Sequence, residues 1–156
     1  MERLLIQNIG LLATPAGHEA RRGPAQGEIS MTKNAWLLAE DGVIAASGTG
    51  APPGCGAAKV LDAQGCLVTP GLVDAHTHLI FGGWRQNELG LKLHGVSYLE
   101  ILARGGGILS TVEATRAASE AALVQKALPE LETMLRWGTT TCEIKSGYGL
   151  ATEQEL

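Results

Sequence analysis

The sequence has no run of basic residues, no C-x-x-C pair, no internal repeat and no low-complexity tract. It also has no apolar stretch near the roughly 18 residues that suggest a membrane span. Each absence excludes something. With no basic run and a net charge of −4, nucleic acid and anionic membrane surfaces are poor partners. The opening segment MERLLIQNIGLLATP carries an early Glu and places Gln7 and Asn8 inside its apolar part. That makes a poor signal peptide and a fair first strand. Cys55, Cys66 and Cys142 are odd in number and widely spaced, so mostly buried free thiols are expected rather than a disulfide or a zinc knuckle. This usage suits a reducing, cytoplasmic compartment.

What remains is a chain of 156 residues, 45% apolar and 18% charged, enough for a soluble globular domain with a core. Residues 1–69 read as all-β. RLLIQNIGLLAT is strand-like, and AWLLAEDGVIAASG reads as two short strands around Glu40-Asp41-Gly42, since Asp-Gly favours a two-residue hairpin. The segment PAGHEARRGPAQGEIS between them reads as a loop that includes an exposed His18, and GTGAPPGCGAAK reads as a second loop. KVLDAQGCLVTP predicts another strand pair about a Gln64-Gly65 turn.

The pattern changes after Pro70-Gly71. LVDAHTHLIF begins as a buried strand. VSYLEILARG predicts a short helix stopped by Gly105, with His94 an ordinary polar residue before it. The stretch at Gly105–Gly107 resembles a phosphate loop only superficially, because no Gly-Lys-Ser/Thr follows; a flexible loop bordering a pocket is expected instead. Ser110 and Glu113 have capping-box spacing, predicting a helix from about Thr111. Ser119 caps a longer helix ending near Trp137. In it Leu123, Val124, Ala127, Leu128, Leu131, Met134 and Leu135 recur as a core-facing stripe, and Pro129 is expected to kink or divide it. Gly138 is a natural stop. TTTCEI then reads as a strand and KSGYG as its loop. Strand, helices, strand is a parallel βαβ unit, so residues 70–156 read as the opening of an α/β barrel or doubly wound sheet.

The chemistry centres on His76-Thr77-His78. Residues two apart on a strand point to the same side, so both imidazoles can reach one metal ion. The pair lies near the C-terminal end of its strand, where α/β barrels keep their active sites. Asp74 lies two residues earlier and is either a supporting partner or a plain strand-end polar group.

VTPGLVDAHTHL after a hairpin-rich β region resembles the amidohydrolase superfamily of metal-dependent hydrolases. HTHLIFGGWRQNEL, GGGILSTVEATRAAS and TTTCEIKSGYGL narrow the resemblance to its imidazolonepropionase family, over nearly the whole chain and most densely from Pro70 onward. The resemblance implies an α/β fold: the N-terminal part of a composite β-sandwich, followed by the first strands and helices of an incomplete (β/α)8 barrel. It implies that His76 and His78 are ligands of one divalent ion, zinc or iron. Arg85 would bind the propanoate carboxylate of 4-imidazolone-5-propanoate, and Tyr148 would line the substrate pocket. A planar guanidinium matches a carboxylate, and a tyrosine offers a flat face and one hydroxyl.

The family's later His and Asp ligands, a further substrate-binding His and the proton-shuttling carboxylate have no counterpart up to Leu156. A catalytic zinc site wants three protein ligands and an open position. The 156-residue chain is therefore expected to be inactive alone, while the full-length enzyme opens the cyclic amide to N-formimidoyl-L-glutamate in histidine degradation. Other readings are a hydrolase of another cyclic amide or amidine, and a non-catalytic truncated product. Lys145 is expected to be a strand-end lysine. The resemblance suggests a homodimer.

Overall fold

The computed structural model describes residues 2–17, 19–54, 56 and 58–156. His18 and Cys55, named above as a loop residue and a free thiol, lie outside the described residues. The chain forms two compact units, Met1–Pro70 and Gly71–Leu156. Together they hold a mixed sheet, a parallel strand pair and helices, an α/β composition.

In the first unit β1 (Arg3–Pro15), β2 (Ile29–Glu40) and β3 (Val43–Thr49) form an antiparallel meander. Glu40 pairs with Val43 across Asp41-Gly42, and both turn residues have positive φ, as the expected two-residue hairpin requires. β2 starts six residues before the apolar run at Ala35. Residues 29–34 are mostly exposed, the apolar Ile29 and Met31 included, and their pairing with Leu11–Pro15 of β1 makes them a strand.

Two irregularities were not legible. An extra β1 residue between Ile6 and Ile9, with Asn8 at φ 55, shifts the register with β2. Such a bulge reverses the inside–outside phase of a strand. Ile9 therefore joins Ile6 in one buried cluster with Leu12 and Ala35, while Leu5 and Leu38 form another.

The second irregularity corrects the expected strand pair around Gln64-Gly65. β4 (Lys59–Asp62) and β5 (Leu67–Val68) do not pair with each other. Both run parallel to β1, on Leu4–Gln7 and on Leu11–Leu12 respectively. The Gln64-Gly65 turn exists but lies opposite the β1 bulge, with the Gly65 N–H donating to the Asn8 carbonyl at 2.8 Å. It interrupts one strand rather than reversing the chain. Cys66, in this turn, is exposed and Cys142 half-buried, so the expectation of mostly buried thiols does not hold for them.

In the second unit β6 (Leu72–Thr77) and β7 (Thr139–Ile144) are parallel neighbours joined through four helices, as the βαβ pattern requires. The expected burial of β6 is corrected: Leu72 is 54% and Val73 69% exposed. A barrel strand is covered on both faces and flanked on both edges, whereas β6 pairs with β7 alone among the described residues.

α1 (Asn87–Leu93) was not anticipated: it is one short segment with Gly90 inside and no side-chain cap at Gln86. His94 is thus the C-cap of α1, its Nδ1 lying 2.7 Å from the Gly90 carbonyl oxygen. α2 (Tyr98–Ala103) is capped by the Ser97 hydroxyl, which accepts from the Glu100 N–H.

α3 (Ile108–Ala117) starts three residues before the expected position, and the Ser110–Glu113 box does not form. The Ser110 hydroxyl instead donates back to the Gly107 carbonyl, and the buried Glu88 carboxylate accepts the Gly107 N–H at 2.6 Å. The triglycine is accordingly not a flexible loop. Gly105 and Gly106 also donate to the Leu102 and Ile101 carbonyls, so all three N–H groups of the segment are bound.

α4 (Glu120–Arg136) is capped by Ser119 and continues through Pro129 without division. Its stripe is only partly covered: Ala127 is buried, whereas Val124, Leu128 and Leu135 are exposed. A final turn, α5 (Thr152–Glu155), was unforeseen. No helix of the described residues is long and apolar enough to cross a membrane.

Candidate functional site

The β6 rim is shaped by a register shift. Between Asp74 and Thr77 the register against β7 slips by one residue, and the Asp74 carboxylate accepts the His76 N–H at 3.0 Å. Asp74 thus serves the backbone of the motif. β6 ends at Thr77, so His78 stands one residue beyond the strand rather than on it. The two imidazoles still meet, with ring centroids 5.4 Å apart and planes at 72°.

His76 is exposed, whereas the His78 Nδ1 is buried and has no hydrogen-bond partner. Leaving such a group unpaired costs on the order of 1–3 kcal/mol, so it suits a nitrogen reserved for an ion or a further acceptor. The pair therefore fits two imidazole positions of a divalent-ion site. Among the described residues, no group of three or more His, Cys, Asp or Glu could hold an ion.

Lys145, directly after β7, donates its N–H to the Thr77 carbonyl at 2.8 Å and pairs its ammonium with Glu143. The Lys145 hydrogen bond and charge hold the Glu143 carboxyl below the usual carboxylate range, with a smaller contribution from His76.

Beyond His78 the chain turns tightly against α3. A Cβ on Gly82 would stand 2.3 Å from the Ala114 carbonyl oxygen, so only glycine fits that close approach. The Gly82 N–H donates to the Thr115 hydroxyl at 2.9 Å, and that hydroxyl donates on to the Thr111 carbonyl. Phe81 and Trp84 pack edge to face, centroids 5.1 Å apart. Lys126 of α4 lies over both rings and donates to the Phe81 carbonyl oxygen at 2.8 Å. Burial lowers the Lys126 ammonium below the ordinary lysine pKa, against an opposing pull from Glu130.

Tyr148 arrives from the other side. Its ring is 4.9 Å from that of His78 and 5.7 Å from that of Phe81. A cleft of about 370 Å³ is lined by Phe81, Trp84, Arg85, Gln86, Thr111 and Tyr148. Arg85 and Tyr148, 63 positions apart, therefore border one space, and Tyr148 also touches His78. Arg85 borders a second hollow of about 340 Å³ as well, together with Glu88, Gly105 and Gly106, so the triglycine does line a cavity.

The Tyr148 loop is held by groups that sequence reasoning missed. The Glu155 carboxylate accepts the N–H groups of Gly147, Gly149 and Leu150 at 2.6, 2.8 and 2.7 Å. These bonds, led by that of Leu150, hold its carboxyl below the usual range. Arg116 donates to the Gly149 carbonyl oxygen at 2.6 Å. The local pattern states no role for Phe81, Trp84, Thr115, Lys126 or Glu155: Phe81 and Trp84 meet Lys126, Thr115 meets Gly82, and Glu155 meets a fold in the loop.

Residues 59–138 match the family model described as the amidohydrolase family. The chain is 50% identical over 153 residues to the imidazolonepropionase of Caldanaerobacter subterraneus subsp. tengcongensis, covering 98% of this chain and 37% of that protein. It is likewise 50% identical to the imidazolonepropionase of Bacillus velezensis, covering 97% of this chain and 36% of that protein. Identity to that of Alkaliphilus metalliredigens is 48%, over 100% of this chain and 38% of the relative. The chain thus spans little more than a third of the length of the curated relatives it matches.

Proposed function

We propose a function from the premise that this chain belongs to the amidohydrolase family. The whole protein of which it matches a part is an imidazolonepropionase: it hydrolyses the ring amide C–N bond of 4-imidazolone-5-propanoate. Water adds to the ring carbonyl carbon, the C–N bond breaks, the nitrogen takes up the proton, and N-formimidoyl-L-glutamate leaves. The observation that carries this reading is the 50% identity that runs through 98% of the chain, across the segments bearing His76, His78, Arg85 and Tyr148.

Members of the superfamily generally use a divalent metal. Here His76 and His78 would hold two positions of one divalent ion, zinc or iron, which when bound would supply Lewis acidity toward water and the carbonyl. Arg85 takes the propanoate carboxylate in its planar fork and so sets the ring's position in the cleft. Tyr148 offers its face to the ring and its hydroxyl to one hydrogen bond. Phe81 and Trp84 offer the ring an apolar wall in the same cleft. Residues 1–69 are part of a β-sandwich domain and 70–156 the start of the barrel. The protein works in the cytoplasm as a homodimer.

The test is turnover of imidazolonepropanoate by the intact metal-loaded protein, beside Arg85→Ala. Product formation that depends on Arg85 supports the reading. Turnover confined to another cyclic amide, such as a hydantoin or a dihydropyrimidine, overturns it. The 156-residue chain assayed alone is expected to show no turnover, because it supplies two ligands where a catalytic zinc site needs three.

A further inference from the structure

We infer that Glu155 is the positioning residue of the site: its carboxylate folds the Ser146–Leu150 loop and thereby fixes the rings of Tyr148 and His78. The inference concerns geometry that no motif assigns, and only its kinetic arm rests on the function proposed above.

The loop lies between the end of β7 at Ile144 and the start of α5 at Thr152, and no ladder or helix holds it. Three of its N–H groups converge on one carboxylate, those of Gly147, Gly149 and Leu150, all within 2.8 Å. A carboxylate taking three backbone donors makes charge-assisted bonds, stronger than neutral ones. The geometry it enforces is one the chain would not choose unaided. Leu150 has φ 52, in the left-handed region that a leucine rarely adopts. Gly147 has φ 136, and a Cβ there would stand 3.3 Å from the His78 Cε1. The imidazole thus takes up the space that a side chain at Gly147 would need.

Two consequences reach the site. Tyr148, between the clamped residues, presents its ring 4.9 Å from His78 and 5.7 Å from Phe81. The His78 ring lies against that face and beside Gly147, where an added Cβ would crowd it, although its own Nδ1 makes no hydrogen bond that would orient it. Packing against the clamped loop therefore replaces the orienting hydrogen bond that metal-binding imidazoles usually make. Arg116 assists by binding the Gly149 carbonyl from α3, but the loop's donors are served by Glu155.

The test is amide hydrogen exchange on the intact protein, with Glu155→Ala and Glu155→Gln beside the native form. A hydrogen bond to a charged acceptor is worth about tenfold or more in an opening equilibrium. Exchange at Gly147, Gly149 and Leu150 should rise at least about tenfold in E155A and by less in E155Q, with β7 and α4 protection unchanged. In turnover, KM should rise more than kcat falls, and E155Q should recover part of the loss. Unchanged loop exchange in E155A overturns the inference. So does a loss of protection in E155Q that is equal across β7, α4 and the loop, since Glu155 would then support the fold at large. Selective loop opening in a protein without imidazolonepropanoate turnover upholds the inference and sinks the functional reading instead.

Discussion

The Lys126 ammonium lies 3.1 Å from the centre of the Phe81 ring and 4.2 Å from that of Trp84, and it donates to the Phe81 carbonyl oxygen. One side chain of α4 thus ties the helix to the aromatic wall of the cleft 45 residues earlier. Cation–π contacts of this kind contribute roughly 0.5–2 kcal/mol and a part-buried hydrogen bond about 1 kcal/mol. Lys126→Met, which keeps the stem and removes the charge, should destabilise the intact protein by about 1–3 kcal/mol in urea unfolding. Lys126→Arg should recover part of that, because guanidinium also stacks on aromatic faces. Equal stability of K126M and native protein would remove Lys126 from the architecture of the wall.

The His76–His78 pair leads to a metal-content prediction. Elemental analysis of the intact protein should find bound divalent ion. His76→Ala and His78→Ala should each weaken binding beyond the roughly 10–100-fold typical of supporting residues. The double variant should carry only background metal. Undiminished loading of the double variant would place the ion elsewhere.

Arg85 borders the same cleft as Tyr148, and its proposed partner is a carboxylate. Arg85→Ala should raise KM for imidazolonepropanoate about 10–100-fold, the scale of charge-assisted hydrogen bonds. Arg85→Lys should stay impaired, because an ammonium cannot make the bidentate contact. A substrate analogue lacking the carboxylate should be handled equally by all three proteins, and a difference there would assign Arg85 to another part of the ligand.

The Glu155 carboxyl is held below the usual carboxylate range, first by the Leu150 N–H. A group whose native pKa is depressed binds fewer protons folded than unfolded, so its contribution to stability rises with pH. The Glu155 contribution is complete above the ordinary carboxylate pKa and lost as acidity passes through the lower native value. Loop amide exchange followed on descending pH, corrected for the intrinsic rate, should accelerate in that window. Glu155→Gln should abolish the transition; its persistence would assign the titration to another group.

Gly82 supplies a stability test independent of function. A methyl group there meets the Ala114 carbonyl at 2.3 Å, and a backbone atom of a helix yields poorly. Gly82→Ala should cost about 1–3 kcal/mol, the usual scale of overpacking. Gly42→Ala, in open space, should cost mainly the strain of its φ of 82. Similar losses in the two variants would mean that the loop at Gly82 can move away from α3.

Several features were legible because their causes are local. Asp41-Gly42 states its own turn, Ser119 states its own cap, and two strands separated by helices state a parallel crossover. The triglycine misled for an equally physical reason. Glycine frees a backbone only where nothing binds it, and Glu88, 19 positions away, does bind it. The Ser110–Glu113 spacing misled because a capping box competes with whatever else can start the helix, and here Gly107 and the buried carboxylate start it earlier.

By itself the sequence determined the β-rich first unit, the crossover from β6 through helices to β7 and the two imidazoles beside a strand end, since these follow from neighbouring residues and from side-chain period. Only the tertiary structure decided the phase of β1 past Asn8, the side of β1 that Leu67 joins, and which distant side chains meet at His78. Tyr148 reaches that histidine across 70 positions and Lys126 reaches Phe81 across 45. Bulges, register and such encounters are settled by the pairing of whole segments and by the close packing they enforce, which no local stretch of chain encodes.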